Sequence, residues 1–306
     1  MRHRPVRLRD NRRPRPPLRL VLPSNPLASA LQYFSRQRLM ARSLEPVLRA
    51  KTMQEARVVS DNRADGRTIL GVSIRNLSGS RAIDMIDEMV RGPELTKICF
   101  ANAQTLNVAY ENPQFRAALQ DFVVLNDGVG ADIASRLKFG EPFSENLNGT
   151  DFVPAYLGRT RRTLRIYLVG TTEDIVAQTA QKLRLRFPQH TIVGHRNGFF
   201  SSPEDIDQAC RVIRATHADC VLVGMGNPFQ ELWIDEHAAK TGARLFFGVG
   251  ALFDFQAGHV SRAPVWVRTL RCEWIFRLLQ EPRRLASRYL FGNVMFLARV
   301  LADVRG

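Results

Sequence analysis

From Thr68 onward, apolar residues follow two alternating rhythms. Seven short, nearly unbroken apolar runs each read as one strand: "TILGVSI" (68–74), "KICFAN" (97–102), "FVVLN" (122–126), "LRIYLVG" (164–170), "TIVGHR" (191–196), "CVLVGMG" (220–226) and "RLFFGVG" (244–250). Between them, apolar residues recur near helical spacing, as at Ile83, Ile86 and Val90. The helices predicted this way are 80–90, a continuous stretch 103–120, 129–139, 151–157, 173–187, 203–216 and 228–241. Strands alternating with helices of about a dozen residues predict an α/β, Rossmann-like fold with a mostly parallel sheet. The strands show no polar face, as expected when helices cover both sides of the sheet.

Both ends of the chain break this rhythm. Residues 1–65 mix arginine and proline, as in "RHRPVRLRDNRRPRPPLRL", and read as a disordered basic N-terminal tail with a short helix near Leu27–Leu48. Residues 262–306 offer no strand and read as a C-terminal helical appendage of two or three helices, broken near Pro282. The α/β core then spans 66–261.

Charge sharpens that division. The chain has 306 residues and a net charge of +15. Residues 1–60 hold 14 Lys/Arg against 3 Asp/Glu, and residues 262–306 hold 9 against 3. The middle is close to neutral, so the ends are where polyanions would bind. A nucleic-acid arm is one reading of the tail; because aromatics do not interleave with its basic residues, a solvated or membrane-hugging leader is the favoured one. The appendage interleaves Trp274, Phe276, Leu278, Tyr289, Phe291 and Phe296 with arginines. That pattern suits an anionic membrane surface, and an apolar helix face also suits an ordinary core helix or a homo-oligomer contact. No apolar run reaches the ~18 residues needed to span a bilayer. Cys99, Cys210, Cys220 and Cys272 form no C-x-x-C pair and read as reduced thiols, consistent with a cytoplasmic protein.

In parallel sheets, ligands bind beyond the carboxyl ends of the strands. Those ends carry Asn102, Asn126-Asp127-Gly128, Gly170-Thr171-Thr172, Arg196-Asn197-Gly198, Gly224-Met225-Gly226-Asn227-Pro228 and Gly248-Val249-Gly250. Asp127 is either an N-cap for the helix that follows or a general base at the mouth of a cleft. Gly224 and Gly226 would let backbone approach a phosphate, but Phe229 stands where a dinucleotide fingerprint needs its third glycine. Gln230 and Glu231 sit on the first helical turn, positioned either for a ligand or for solvent. Asp205 and Asp207 form a D-x-D pair, but acidic residues are ordinary at a helix start, so no metal site is expected there.

Several long motifs together resemble the WecG/TagA/CpsF glycosyltransferases, glycosyltransferase family twenty-six. They are "ILGVSI", "ANAQTLNVAYENPQFRAAL", "FVVLNDGVGADIASRL", "NGTDFVPAYL", "LVGMGNPFQELWI" and "GVGALFDFQAGHVSRAPVWVRTLRCEWIFRLLQEPRR", in the family's order from Ile69 to Tyr289. The resemblance implies an inverting sugar transfer that needs no metal or other cofactor. The donor would be a UDP-sugar, carrying N-acetylmannosamine, its uronic acid or glucose. The acceptor would be a sugar on a polyprenyl diphosphate, met at the inner face of the cell membrane by a peripheral enzyme of polysaccharide synthesis. Nucleic acid is not an expected partner. Asp127 takes the place of the family's proposed base, and Asn102 that of its conserved asparagine. Gln230 and Glu231 match its P-x-Q-E pair, and Asn126, Gly128, Gly224 and Gly226 line the same segments. Arg277, Arg284 and Arg288 correspond to the family's appendage arginines, proposed to hold the lipid diphosphate and cover the active site, and Arg262 is a further expected substrate contact. Asn126 replaces a common proline, and Asn146 stands where an arginine is common.

Overall fold

The computed structural model describes residues 66–260, 263–264, 276, 278 and 282–305. The predicted tail and the segment around Trp274 lie outside these residues.

The first predicted strand is in fact a hairpin. β1 (Gly66–Ile69) and β2 (Val72–Arg75) pair antiparallel, with Ile69 opposite Val72. The two turn residues, Leu70 and Gly71, have φ of 48° and 79°. Positive φ at both turn positions gives the primed turn whose twist matches its flanking strands. Leu70 is buried there, so the apolar run continues through the turn and conceals it.

The remaining strands are all parallel. They are β3 (Thr96–Ala101), β4 (Val123–Asn126), β5 (Arg165–Gly170), β6 (Thr191–Arg196), β7 (Cys220–Gly224) and β8 (Leu245–Gly248). The sheet order is β1-β2-β4-β3-β8-β7-β5-β6. From β5 the chain runs outward to β6, whereas from β7 it runs inward to β8. The loops after β5 and β7 therefore diverge, which opens a crevice at the carboxyl edge.

The helices are α1 (Gly79–Met89), α2 (Ala103–Glu111), α3 (Pro113–Ala118), α4 (Gly128–Phe139), α5 (Gly149–Arg159), α6 (Glu173–Arg186), α7 (Pro203–Ala215), α8 (Phe229–Thr241), α9 (Leu252–Ala257) and α10 (Pro282–Arg305). The predicted continuous helix 103–120 is broken at Asn112. Its extended backbone ends α2, and its side chain accepts from Phe115 N to start α3. Pro113 imposes the break, because the residue before proline is driven out of the helical region.

Alternate strand residues feed two cores. Cys99 and Ala101 face Leu106, Ala131, Trp233 and Phe296, while Ile98 and Phe100 face Ile83, Tyr156 and Phe247. Helices thus cover both faces, as the apolar strands predict.

The last helix is joined to the first of these cores. α10 packs on α2 and α4, and Phe296 and Val300 are buried in the same cluster as Leu106 and Ala131. Phe296, assigned above to the membrane stripe, is 1% exposed, whereas Phe291 is 77% exposed. A helix buries only one stripe of its surface; Phe296 lies in that stripe, and Phe291, five residues earlier, points about 140° away from it.

Candidate active site

β3 and β4 are neighbours with Ala101 opposite Asn126, so the next residue of each strand emerges at the same edge. Those residues are Asn102 and Asp127. The Asp127 N–H donates to Ala101 O at 2.9 Å, which holds the two ends together. The Asn102 side chain divides its functions. Its Oδ1 accepts from Gln104 N (3.0 Å) and Thr105 N (3.1 Å) and so caps α2. Its Nδ2 donates to Asp127 Oδ2 at 3.2 Å.

Asp127 occupies the N-cap position of α4, yet its side chain makes no capping bond. Asn146 Oδ1 accepts the N–H of Gly128, at 2.8 Å. The N-cap reading of Asp127 is therefore not what the geometry displays. The carboxylate is half-buried beside Asn102. Gly128 has φ of 82°, where a side chain would be strained, and a Cβ there would meet nothing within 4 Å. The backbone turns sharply next to open space.

Asn126 is turned inward. It is fully buried, and its Nδ2 donates to Glu145 O at 2.9 Å, so it ties down the loop that supplies Asn146.

The second half of the edge lies at the crevice. A Cβ on Gly170 would fall 2.3 Å from Gly224 O, so only glycine allows the ends of β5 and β7 to meet this closely. After Gly224 and Gly226 the chain enters α8, where Gln230 and Glu231 are 4% and 1% exposed. They are not solvated helix-start residues. Gln230 Oε1 accepts from Gly250 N (2.9 Å), and its Nε2 donates to Glu231 Oε1 (2.7 Å). Asn227 Nδ2 donates to Glu231 Oε2 at 3.2 Å. This chain of bonds joins the loop after β7 to the loop after β8. Burial pushes the Glu231 carboxyl up to about 7, and the bonds from Gln230 and Asn227 oppose that shift in part.

Residues 67–306 match the Glycosyl transferase WecG/TagA/CpsF family. The chain belongs to this glycosyltransferase family. The match spans the whole α/β fold and runs through α10.

In this WecG/TagA/CpsF protein the basic residues of the C-terminal segment are only partly described. Arg284 and Arg288 lie in the first turns of α10, and Arg262 and Arg277 lie outside the described residues. The D-x-D pair is occupied by its neighbours. Asp205 accepts from Ser201 N (3.0 Å) and pairs with Arg196 (3.3 Å), while Asp207 pairs with Lys240 (2.8 Å). Among the described residues no three His, Cys, Asp or Glu side chains gather as a metal site would require. Asn146 and Asn227 are the polar groups the sequence reading left out of the site. The signal for both was their place beside a strand-end loop, but which atoms they touch depends on how distant loops meet.

Proposed function

We propose that this glycosyltransferase moves a sugar from a UDP-sugar to a polyprenyl-diphosphate-linked acceptor, with inversion and without a metal. The observation that carries the reading is the Asn102–Asp127 pair: a carboxylate that does not cap its helix, hydrogen-bonded by the Asn102 amide, at the carboxyl edge of the sheet. Asp127 removes the proton of the acceptor hydroxyl as that oxygen attacks the anomeric carbon. The bond from that carbon to the donor phosphate breaks on the opposite face, and UDP leaves with the electron pair. Asn102 holds the carboxylate by one oxygen, leaving its orientation fixed relative to α2.

The leaving diphosphate needs positive potential. The glycine-rich loop after β7 and the start of α8 supply backbone N–H groups, and the appendage arginines Arg262, Arg277, Arg284 and Arg288 supply charge. Gln230 and Glu231 position those loops from beneath. The lipid-linked acceptor fits a peripheral membrane enzyme. Among the described residues no helix is long and apolar enough to cross a bilayer. On α10, Phe291, Val294 and Met295 are 77%, 68% and 51% exposed and fall on one side of the helix.

The test is a panel of nucleotide sugars screened for thermal stabilisation, followed by transfer to a short polyprenyl-diphosphate sugar with and without EDTA. Stabilisation by one or more UDP-sugars and EDTA-insensitive transfer are expected. Transfer abolished by EDTA and restored by manganese would overturn the metal-free reading.

A further inference from the structure

The residues that bring Asn102 and Asp127 together are not confined to the sheet. Each residue opens a helix, α2 and α4 respectively, and the first turns of these helices touch. Gly130, on the first turn of α4, lies against Ala103, the first residue of α2. A Cβ at Gly130 would sit 3.0 Å from Ala103 Cβ and 3.7 Å from Phe296 Cε1. Phe296 comes from α10, so one ring reaches the point where the two helix starts meet.

α10 is fastened to both helices. Toward α2, Arg299 donates to Glu111 Oε1 (2.6 Å) and Asn107 Oδ1 (3.0 Å), and its guanidinium stands 4.7 Å from the Tyr110 ring centre. Asn107 Nδ2 returns a bond to Gly292 O at 2.8 Å. Toward α4, Lys138 pairs with Asp303 at 2.7 Å. An ion pair at the last turn of each helix and a buried aromatic ring at their first turns therefore join α10 to both α2 and α4.

We propose that Phe296 and the Gly130–Ala103 contact are positioning elements for catalysis: α10 clamps the first turns of α2 and α4 and thereby sets the Asn102–Asp127 pair. A helix moves as a rigid rod, so a shift at Gly130 is passed to Asp127, one turn away. Close-packed contacts transmit such shifts rather than absorb them. The inference rests on the reading of Asp127 as the base.

The experiment moves one methyl group. Gly130→Ala pushes the two helix starts apart, and the double variant Gly130→Ala/Ala103→Gly removes the opposing methyl. We expect Gly130→Ala to lower kcat at least tenfold with donor KM within about twofold, since misplacement by less than 1 Å is costly at a reacting centre. The double variant should recover most of the lost kcat. Phe296→Leu should behave like Gly130→Ala. Val300→Ala, in the same core cluster but away from the helix starts, should lose thermal stability while retaining kcat. Wild-type kcat in Gly130→Ala, or no recovery in the double variant, overturns the proposal. So does an equal kcat loss in Val300→Ala. Asp127→Asn separates the two levels. An inactive Asp127→Asn alongside a normal Gly130→Ala sinks the clamp alone, whereas an active Asp127→Asn removes the base and the clamp with it.

Discussion

Gln230 Nε2 donates to Glu231 Oε1 at 2.7 Å, and both side chains are buried beneath the loops after β7 and β8. Glu231 is an acid whose carboxyl is raised by burial from an ordinary value of 4.5 to about 7. The folded protein therefore binds more protons than the unfolded chain between those values. Stability from this group is intact below about 4.5 and falls as pH rises through 7. The full effect is on the order of 3 kcal/mol. Glu231→Gln keeps an oxygen for Gln230, and turning over the Asn227 amide lets its Oδ1 accept from the new amide, so the variant should fold. Thermal midpoints at pH 5.5 and pH 8 should show the variant gaining several degrees on wild type at the higher pH. His237, held below its ordinary value chiefly by burial, has the opposite sign but is common to both proteins and cancels in the difference. A constant offset between the two proteins across that range would contradict the account.

Asn102 serves α2 and Asp127 with different atoms, so its two roles can be separated. Asn102→Ser retains a good N-cap, because a serine hydroxyl accepts the same helical N–H groups. It is too short to reach Asp127. The expected result is a thermal midpoint close to wild type with kcat reduced tenfold or more. Asn102→Ala should lose the cap as well, at about 1 kcal/mol. If Asn102→Ser keeps wild-type kcat, the hydrogen bond to Asp127 has no part in turnover.

Under the proposed function, the exposed apolar face of α10 is where the protein meets lipid. Replacing Phe291, Val294 and Met295 with serine removes exposed area only, so the thermal midpoint should stay near wild type. Flotation with anionic vesicles should drop severalfold, and transfer to a water-soluble acceptor should persist. Unchanged flotation would move the membrane contact elsewhere on the chain.

The alternation of strand and helix was legible from residue pattern alone, because a sheet covered on both faces needs unbroken apolar strands and the helices need a 3.6-residue stripe. The β1–β2 hairpin was not: Gly71 was its one turn signal, and Leu70 beside it takes a positive φ yet remains apolar and buried. Asp127 could be narrowed to two roles. That Asn146 rather than Asp127 accepts the N–H of Gly128 was not legible, because it depends on a loop anchored by Asn126. Gln230 and Glu231 illustrate the same limit. Their place on a first helical turn is written in the sequence, but their burial follows from the closeness of the β7 and β8 loops, which is a property of sheet order. Phe296 was assigned to the wrong side of its helix because an apolar stripe does not reveal which neighbour it will meet.

The most direct test is transfer by Asp127→Asn under conditions that saturate wild type with donor. Asparagine can still pair with Asn102 through its oxygen but cannot take a proton at the reacting oxygen. The account predicts a folded protein that still binds UDP-sugar, with kcat reduced on the order of 10²–10⁴-fold. Turnover within about threefold of wild type by that variant would contradict it.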